Sequence, residues 1–489
     1  MQARALLLTA ALLAAGGCSS DQPDQPAGDT TASTVEASAG DPATGGDTTA
    51  EEPSTPSGVE WASCGDGGLE CATVAVPVDH DDAAGPTVDL ALVRLPASGE
   101  AVGTIFVNPG GPGASGADFV RSGFRLDPTT SNAYHLVGFD PRGVGASTSV
   151  GCRLDRADGP LPDYSPDDRA EADALDDDAR SFAQACQAAG SPLLAHVDTA
   201  SVARDLDQLR QLVGDEQLHY YGFSYGTLIG LVYADLFPER VGHLVLDGVV
   251  DPTHTLPDLL RQQTAAFDDL FGELDAACAT MTCPDGGVTA AYDRVLTTLE
   301  EGPVGQVGPA ELENASLLTL YDESLWPLYA QALIEAEQGR YDTLELLNDS
   351  FVSGVDFAAY AAVECLDSPH PEGAEAWDAF ADELTGLSAR FGPAVANELR
   401  ACAYWPVPPE PARNPVRAPG APPIVVIGST DDPATPLENA ERVAADLDDG
   451  RLVTVEGAFH TSYSSSQCVR DLVEAYFGDG GPPPPDSRC

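Results

Sequence analysis

Short runs of β-branched and aromatic residues alternate with helical periodicity along much of this chain. Six runs are almost continuously apolar, which is typical of strands buried on both faces of a sheet. They occupy residues 104–108, 135–140, 218–223, 243–247, 423–428 and 451–457. Within residues 201–213, an apolar helical face is formed by Val202, Leu206, Leu209 and Val213. The alternation predicts an α/β fold, a mostly parallel sheet with helices on both faces.

The alternation stops near residue 250, and residues 251–410 have helical patterns instead. Two of these, at 256–274 and 316–336, have wide apolar faces, and strand patterns resume only at 423. We therefore predict that a helical lid, residues 251–410, interrupts one α/β core made of residues 58–250 and 411–489. A separate appended domain is the alternative, but strands on both sides of the segment favour a lid.

The first 57 residues have the pattern of an export and anchoring segment. Arg4 precedes an apolar stretch, residues 5–15, that is too short to cross a bilayer, and small residues precede Cys18 as in a bacterial lipobox. We predict a signal peptide over 1–18 with lipidation at Cys18; an ordinary cleaved signal peptide is the alternative. Residues 19–57, acidic and rich in Ser, Thr, Pro and Gly, predict a disordered tether. The expected location is the extracellular face of a bacterial membrane, through the lipid anchor alone, or the medium.

The charge of the chain excludes one class of partner. The formal net charge is −55, and all 23 basic residues are arginine. Nucleic-acid binding needs a basic footprint, so we expect no nucleic-acid partner and no docking on anionic lipid headgroups. A solvated acidic surface that keeps an exported protein soluble explains the charge best, and a weak preference for cationic substrates is compatible with it.

Ten cysteines remain when Cys18 is set aside, an even number that indicates five disulfides in an exported protein. Spacing alone permits many connectivities. The simplest pairs neighbours along the chain, because each pair then closes a short loop: Cys64–Cys71, Cys152–Cys186, Cys278–Cys283, Cys365–Cys402 and Cys468–Cys489. A zinc site is disfavoured, since no C-x-x-C pair occurs and no histidines cluster with the cysteines. We expect no metal and no cofactor.

A candidate nucleophile follows the predicted strand 218–223. Gly222, Ser224 and Gly226 form a G-x-S-x-G motif between that strand and a helical segment, which is the context of a nucleophile elbow. Glycines two residues before and after the serine allow neighbouring elements to approach closely. The helix that follows favours negative charge at its N-terminus. A purely structural turn is the alternative reading of the motif.

A serine nucleophile needs a base and an orienting acid, which follow it along the chain in this kind of fold. Of the four histidines after Ser224, His460 follows the last strand-like run, where the base is expected. Asp431 and Asp432 follow the preceding strand, and spacing does not choose between them. One oxyanion donor is expected from the N–H of Tyr225 and another from the Gly-rich loop 108–113. That loop lacks the phosphate-binding patterns.

Together these motifs resemble the secreted tripeptidyl and prolyl aminopeptidase group of α/β hydrolases. The resemblance covers about residues 58–489 and rests on NPGGPG, FDPRGVGAS, YGFSYGT, FPERVGHLVLDGVVDP, GSTDDPATP and the terminal SQCV and DSRC segments. It implies an α/β-hydrolase fold and a serine exopeptidase that acts on peptides with free N-termini. It also implies Ser224 as nucleophile, His460 as base, Asp432 as acid, and Gly111 and Tyr225 as oxyanion donors.

An exopeptidase must also bind the protonated amine of its substrate, which needs a carboxylate partner. Glu364 and Asp367 lie in an apolar stretch of the predicted lid, beside Cys365, and we predict them as amine-binding residues. Plain surface charge is the alternative in a chain with 78 acidic residues. Two other functions stay open: a carboxylesterase of the same fold, and a non-catalytic binding lipoprotein.

Overall fold

A computed structural model of the protein describes residues 58–489 except 66, 83, 153–158 and 479. The predicted signal peptide, the lipidation site at Cys18 and the tether over 19–57 lie outside the described residues. Residues Val59–Cys489 form one compact unit. Of the helices described, none combines the length and the apolarity that crossing a bilayer requires.

The described residues contain ten strands, which form one sheet in the order β1-β2-β3-β5-β4-β6-β7-β8-β9-β10. All neighbours from β5 to β10 are parallel, whereas β1, β2 and β3 join the sheet through antiparallel pairs. The strands are β1 Ala62–Ser63, β2 Glu70–Pro77, β3 Thr87–Leu95, β4 Gly103–Asn108, β5 Tyr134–Phe139, β6 Leu218–Phe223, β7 Val241–Asp247, β8 Ile424–Ser429, β9 Gly450–Val455 and β10 Ser487–Arg488.

All six predicted strands are present, as β4 to β9, and the predicted mostly parallel sheet is confirmed. The prediction missed β1, β2, β3 and β10. In β2 and β3 buried residues are interspersed with exposed ones, so these strands lack the continuous apolar run of a strand covered on both faces. In β7 the adjacent residues Leu244 and Val245 belong to two different apolar cores, one on each face of the sheet.

The helices outside the predicted lid cover the sheet. They are α1 Gly116–Arg121, α2 Pro128–Ala133, α3 Arg169–Ala189, α4 Thr199–Val213, α5 Tyr225–Leu236, α14 Leu437–Asp446 and α15 Gln467–Phe477. Helix α4 confirms the helix predicted over 201–213, and Asp198 caps it by accepting the N–H of Ser201.

Residues 251–410, all of which the structure describes, contain helices and no strand. The α-helices are α6 Leu256–Ala277, α7 Val288–Glu300, α8 Pro309–Leu320, α9 Trp326–Ala336, α10 Asp342–Val352, α11 Phe357–Asp367, α12 Gly373–Leu387 and α13 Gly392–Asn397. We call this segment the helical insertion. Strands β7 and β8 flank it and pair directly, with Leu244 opposite Ile424, so the insertion interrupts a continuous sheet.

One helical prediction within the insertion needs correction. Residues 316–336 were predicted as one helical stretch, but α8 ends at Leu320 and α9 begins only at Trp326. Asp322 accepts the N–H of Ser324 and caps a short 3₁₀ turn between the two helices, and Pro327 lies in the first turn of α9. This break faces the candidate active site.

The structure contains the five disulfides of the sequential pairing: Cys64–Cys71, Cys152–Cys186, Cys278–Cys283, Cys365–Cys402 and Cys468–Cys489. The fourth connects α11 to the short turn Arg400–Tyr404 after α13, and it lies wholly inside the insertion. Such a set of disulfides is typical of proteins that leave the reducing cytosol.

Candidate active site

The turn that carries Ser224 is conformationally strained. Ser224 has φ 53° and ψ −127°, a region that residues with a side chain rarely occupy, and it directly precedes α5. A Cβ on Gly222 would lie 2.3 Å from the carbonyl oxygen of Gly226, and one on Gly226 would lie 2.6 Å from that of Asn108. The two glycines of the motif are therefore required by close packing around the serine.

Backbone hydrogen bonds hold this turn in place. The N–H of Ser224 donates to the carbonyl oxygen of Asp247 (3.0 Å), and the Ser224 carbonyl accepts from the N–H of Thr227 (2.8 Å). Ser224 thus lies at the carboxyl edge of the parallel strands, at the positive end of α5. A serine presented in this way is suited to attack a carbonyl carbon once a base removes its proton.

A histidine–aspartate pair lies in the same region. His460 Nδ1 is 2.9 Å from both carboxylate oxygens of Asp432, which is almost fully buried. The same carboxylate accepts the N–H groups of Ala434 and Thr435. Asp431 is exposed instead, and its carboxylate accepts a hydrogen bond from the hydroxyl of Thr430. Of the two aspartates that the sequence left open, Asp432 is the one beside the imidazole.

The loop that carries His460 is held from two sides. On the side of the insertion, the N–H of His460 donates to the carbonyl of Tyr321 (2.8 Å), and the two rings meet edge to face with centroids 5.2 Å apart. On the side of the sheet, Asp247 at the end of β7 accepts the N–H groups of Ser462 and Tyr463. Burial raises the pKa of Asp247 to about 6. The histidine loop therefore depends on both the core and the insertion.

The Gly-rich loop after β4 lies against the serine turn. Gly110 and Gly111 both have φ 101°, and a Cβ on Gly110 would lie 2.5 Å from the carbonyl oxygen of Phe223. The N–H of Gly110 already donates to Asn108 Oδ1 (2.9 Å). Gly111 and Tyr225 both line the cavity next to Ser224, so their N–H groups are the better candidates for stabilising an oxyanion.

A cavity of about 530 Å³ connects the serine turn to the insertion. Ser224 and His460 line it from the core. Its opposite wall is mainly apolar and comes from the insertion, with Phe267, Leu317, Tyr321, Phe351, Phe357 and Tyr360. The volume falls within the range of about 300–1,000 Å³ that is common for small-molecule sites.

Four carboxyl groups line this mostly apolar cavity; Arg442 pairs with Asp251 (2.8 Å) and Arg413 with Asp367, whereas Glu364 and Glu398 have no such partner among the described residues. Glu364 of α11 is partly exposed because it faces the cavity, yet it lies deep in the molecule. Burial, together with the charges of Asp367 and Glu398, raises the pKa of Glu364 to about 8. Burial raises the pKa of Glu398 to about 7, although Tyr360 donates a hydrogen bond to it (3.3 Å). Both values are typical of carboxylates that lack a cationic partner.

Asp367 differs from the two glutamates. Its carboxylate accepts the N–H of Thr199 (2.8 Å), the hydroxyl of the same threonine, and a guanidinium N–H of Arg413 (2.9 Å). These bonds connect the C-terminal end of α11 to the start of α4. Asp367 also lines the cavity, but its carboxylate already has a cationic partner, so amine binding by Asp367 stays a prediction that Glu364 fits better.

Three residues at the site were missed by the sequence analysis. Glu398 and Tyr321 come from the insertion, and their proximity to the cavity depends on how its helices pack. Asp247 gave a detectable signal, because it is an acidic residue at the end of a buried strand, next to the strand that leads to Ser224. A buried carboxylate at that edge of a parallel sheet is a candidate for organising the neighbouring loops.

A family model described as the alpha/beta hydrolase fold matches residues 103–466. Serine protease Hip1 of Mycobacterium tuberculosis is 34% identical over 491 aligned positions, covering 91% of this chain and 93% of the relative. Carboxylesterase B of the same species is 35% identical, covering 86% of both chains. Tripeptidyl aminopeptidase of Streptomyces coelicolor is 31% identical, covering 88% of this chain and 86% of the relative.

Among solved structures, proline iminopeptidase of Mycobacterium smegmatis aligns over 83% of this chain and 98% of its own, at 16% identity and a TM-score of 0.38. The family match extends over most of the chain, and each of the three relatives is at least 30% identical over more than four fifths of it. The chain therefore belongs to the α/β-hydrolase family of enzymes.

Proposed function

We propose that this protein is an exported serine exopeptidase that releases short peptides or single residues from free N-termini. One observation supports this more than any other: the cavity that contains Ser224 and His460 also contains the carboxyls of Glu364 and Glu398, which face it from deep in the molecule. Burying an unpaired carboxylate is costly, and a substrate ammonium group would pair with it. An ester has no such group to offer.

The reaction would follow the chemistry of a serine triad. His460 takes the hydroxyl proton of Ser224 as the oxygen attacks the peptide carbonyl, and Asp432 stabilises the imidazolium. The N–H groups of Gly111 and Tyr225 stabilise the negative charge on the carbonyl oxygen. The imidazolium then protonates the leaving amine, and the shortened peptide departs from an acyl-enzyme. Water attacks the ester, with His460 again as base, and the N-terminal fragment leaves with a free carboxyl group.

Glu364 would bind the substrate ammonium group, and Glu398 would supply a second negative charge to the same group. Two other acids line the cavity, but Asp251 pairs with Arg442 and Asp367 with Arg413, so Glu364 and Glu398 supply the uncompensated negative charge. An enclosed wall behind the amine site would stop longer chains from passing beyond it. The names of two relatives, a serine protease and a tripeptidyl aminopeptidase, support a peptidase.

A carboxylesterase is the second candidate, favoured by the relative named carboxylesterase B and by the mainly apolar cavity. A panel of chromogenic substrates separates the two functions. It contains anilides of one, two and three residues with free amines, their N-acetylated forms, and short acyl esters. The exopeptidase predicts turnover of a free-amine anilide at least about 100-fold above its acetylated form. Equal turnover of both forms, or turnover of esters alone, would favour the esterase.

The predicted lipid anchor belongs to the same proposal. We propose that the exported chain is acylated at Cys18 and that residues 19–57 hold the enzyme away from the membrane. Detergent phase partitioning of the protein expressed in a bacterial host tests this directly. The full chain should enter the detergent phase, and Cys18→Ala should move it to the aqueous phase. A full chain found only in the aqueous phase would indicate simple secretion.

A further inference from the structure

A group of carboxylates lies apart from Ser224, where the segment before α3 meets the insertion. Asp163, Glu171 of α3 and Glu300 of α7 each offer an oxygen, and these oxygens all lie within 4.8 Å of one another. Two oxygens bound to one Ca²⁺ ion at about 2.4 Å can be no more than about 4.8 Å apart. The three acids therefore have the spacing of a shared ion.

Two buried carboxylate oxygens at this group have no hydrogen-bond partner, which indicates that a cation is missing. Glu313 of α8 is only 2% exposed, and its Oε2 has no hydrogen bond; the same holds for the buried Oδ2 of Asp163. Ser165 joins the two side chains, because its hydroxyl donates to Glu313 Oε1 (2.5 Å) and its N–H to Asp163 Oδ1 (2.8 Å). Glu313 thus extends the group inward, where water cannot solvate its charge.

Among the described residues, no positive charge compensates for these carboxylates. Burial is the main cause that raises the pKa of Glu300 to about 7 and of Glu313 to about 8, and the charges that raise them further are other carboxylates. None of the ion pairs between described residues involves Asp163, Glu171, Glu300 or Glu313. In a folded protein this arrangement is costly unless a cation binds.

We propose that Asp163, Glu171 and Glu300, supported by Glu313, form a Ca²⁺ site. The ligands are all carboxylate oxygens, which suit a hard cation, and they include no histidine or thiolate to select zinc. Three separate chain segments supply them, and Ca²⁺ tolerates irregular geometry better than Mg²⁺ does. Millimolar calcium outside the cell is sufficient for a site of this kind.

The ion would act on the substrate cavity through one loop. Leu161 and Tyr164 flank Asp163 in sequence and line the cavity that contains Ser224. The same loop is bound to the insertion, since Leu161 donates its N–H to Glu311 (2.6 Å) and the Tyr164 carbonyl accepts from Asn397 (2.9 Å). Bound Ca²⁺ would fix this wall of the cavity to α3 and α7 and so stabilise the fold.

Thermal melting of the purified protein tests the site without depending on any activity. The wild type is compared in EDTA and in 10 mM CaCl₂, with NaCl and MgCl₂ as controls for general screening of the acidic surface. The variants are Glu300→Gln and its neighbour Glu301→Gln, which removes the same charge from a position outside the group. Asp163→Asn is the second test if Glu300→Gln does not fold.

We expect Ca²⁺ to raise the Tm of the wild type and of Glu301→Gln by at least about 3 °C, and to leave Glu300→Gln unchanged. In EDTA, Glu300→Gln should melt at or above the wild type, because one repelling charge is gone. The proposal is overturned if Ca²⁺ does not raise the Tm of the wild type, or raises that of Glu300→Gln equally. An equal effect of NaCl at matched ionic strength would also overturn it.

Discussion

The carboxyl edge of the sheet and the helical insertion form opposite walls of one cavity, and they are built in different ways. At the sheet edge, the position of each group is set by its immediate neighbours. Ser224 is fixed by the glycines beside it and by a bond to Asp247, and Asp432 is fixed by the turn that follows β8. In the insertion, Glu364 comes from α11 and Glu398 directly follows α13, and only tertiary packing brings them to the cavity.

This difference indicates that the two walls have separate functions. The sheet edge holds groups that would act on any carbonyl substrate, whereas the insertion holds the charges that would select a substrate with a free amine. Substitutions at the edge should therefore remove all reactions together, and substitutions in the insertion should separate one substrate class from another. Each variant below is assayed on a free-amine peptide anilide and on a short neutral ester.

The largest loss is expected for Ser224→Ala. Removing the nucleophile should reduce kcat by about 10⁶-fold for the anilide and the ester alike. A fluorophosphonate should label the wild type at Ser224 and fail to label the variant. Unchanged melting would show that the fold is intact, and substantial activity of this variant on either substrate would contradict the proposed mechanism.

The next largest loss is expected for Asp432→Asn. An asparagine cannot stabilise the imidazolium and favours the wrong tautomer of His460, so kcat should fall by about 10⁴-fold on both substrates. Asp431→Asn is the matched control, because it makes the same change one residue away at an exposed position. Its kcat should stay within about twofold of the wild type. A larger loss for Asp431→Asn than for Asp432→Asn would reverse the assignment.

The contrast between the walls also explains how far the sequence could be interpreted. Ser224 and His460 each follow a buried strand, and a strand with its turn is recognisable from a few adjacent residues. The choice of Asp432 over Asp431 rested on family resemblance, since spacing alone did not decide. The parallel strands were predicted for the same local reason, and β2 and β3 were missed because their buried and exposed positions are mixed.

In the insertion, sequence patterns gave helices but not their contacts. Glu364 was selected by its apolar surroundings, and the structure does place it at the cavity. Asp367, only three residues away, was selected with the same argument, but it binds Arg413, which follows the insertion in the chain. Tyr321 was missed because it lies in a stretch that was predicted to be one helix, and the structure has a break between two helices there. Pairings between distant segments leave no local pattern.

A selective loss is expected for Glu364→Gln. Replacing a charge-assisted hydrogen bond to the substrate ammonium by a neutral one should lower kcat/KM for the anilide by about 10- to 100-fold. The ester reaction should keep most of its rate. Glu375→Gln, an exposed acid in the same insertion, is the control and should change neither reaction. Equal losses on both substrates would remove Glu364 from the amine site.

Asp367→Asn should behave differently from Glu364→Gln. Its carboxylate connects α11 to Thr199 and Arg413, so its loss should lower the Tm and affect both substrates to the same extent. A selective loss of the peptide reaction with an unchanged Tm would restore Asp367 as the amine-binding residue.

The pH dependence of substrate preference should show the protonation state of Glu364 and Glu398. Burial raises the pKa of Glu364 to about 8 and of Glu398 to about 7, and the ionised forms are the ones that attract an ammonium group. The ratio of anilide to ester kcat/KM should therefore rise by about tenfold from pH 6 to pH 8. It should then fall as the substrate amine loses its proton, near pH 8. A ratio that is flat across this range would contradict amine binding by these residues.

The smallest effect is expected at Tyr321, and it tests whether the insertion also acts on the chemistry. The ring of Tyr321 packs edge to face on His460, and aromatic contacts of this kind are worth about 0.5–1.5 kcal/mol. If that contact holds the imidazole in its productive orientation, Tyr321→Ala should lower kcat on both substrates by about 2- to 10-fold. Tyr321→Phe keeps the ring and should restore kcat. The carbonyl that accepts the N–H of His460 belongs to the backbone, so both variants retain that bond.

A loss confined to the peptide substrate would instead mean that Tyr321 contacts the substrate. In that case the insertion would select the substrate only, and the two walls would be fully separate in function.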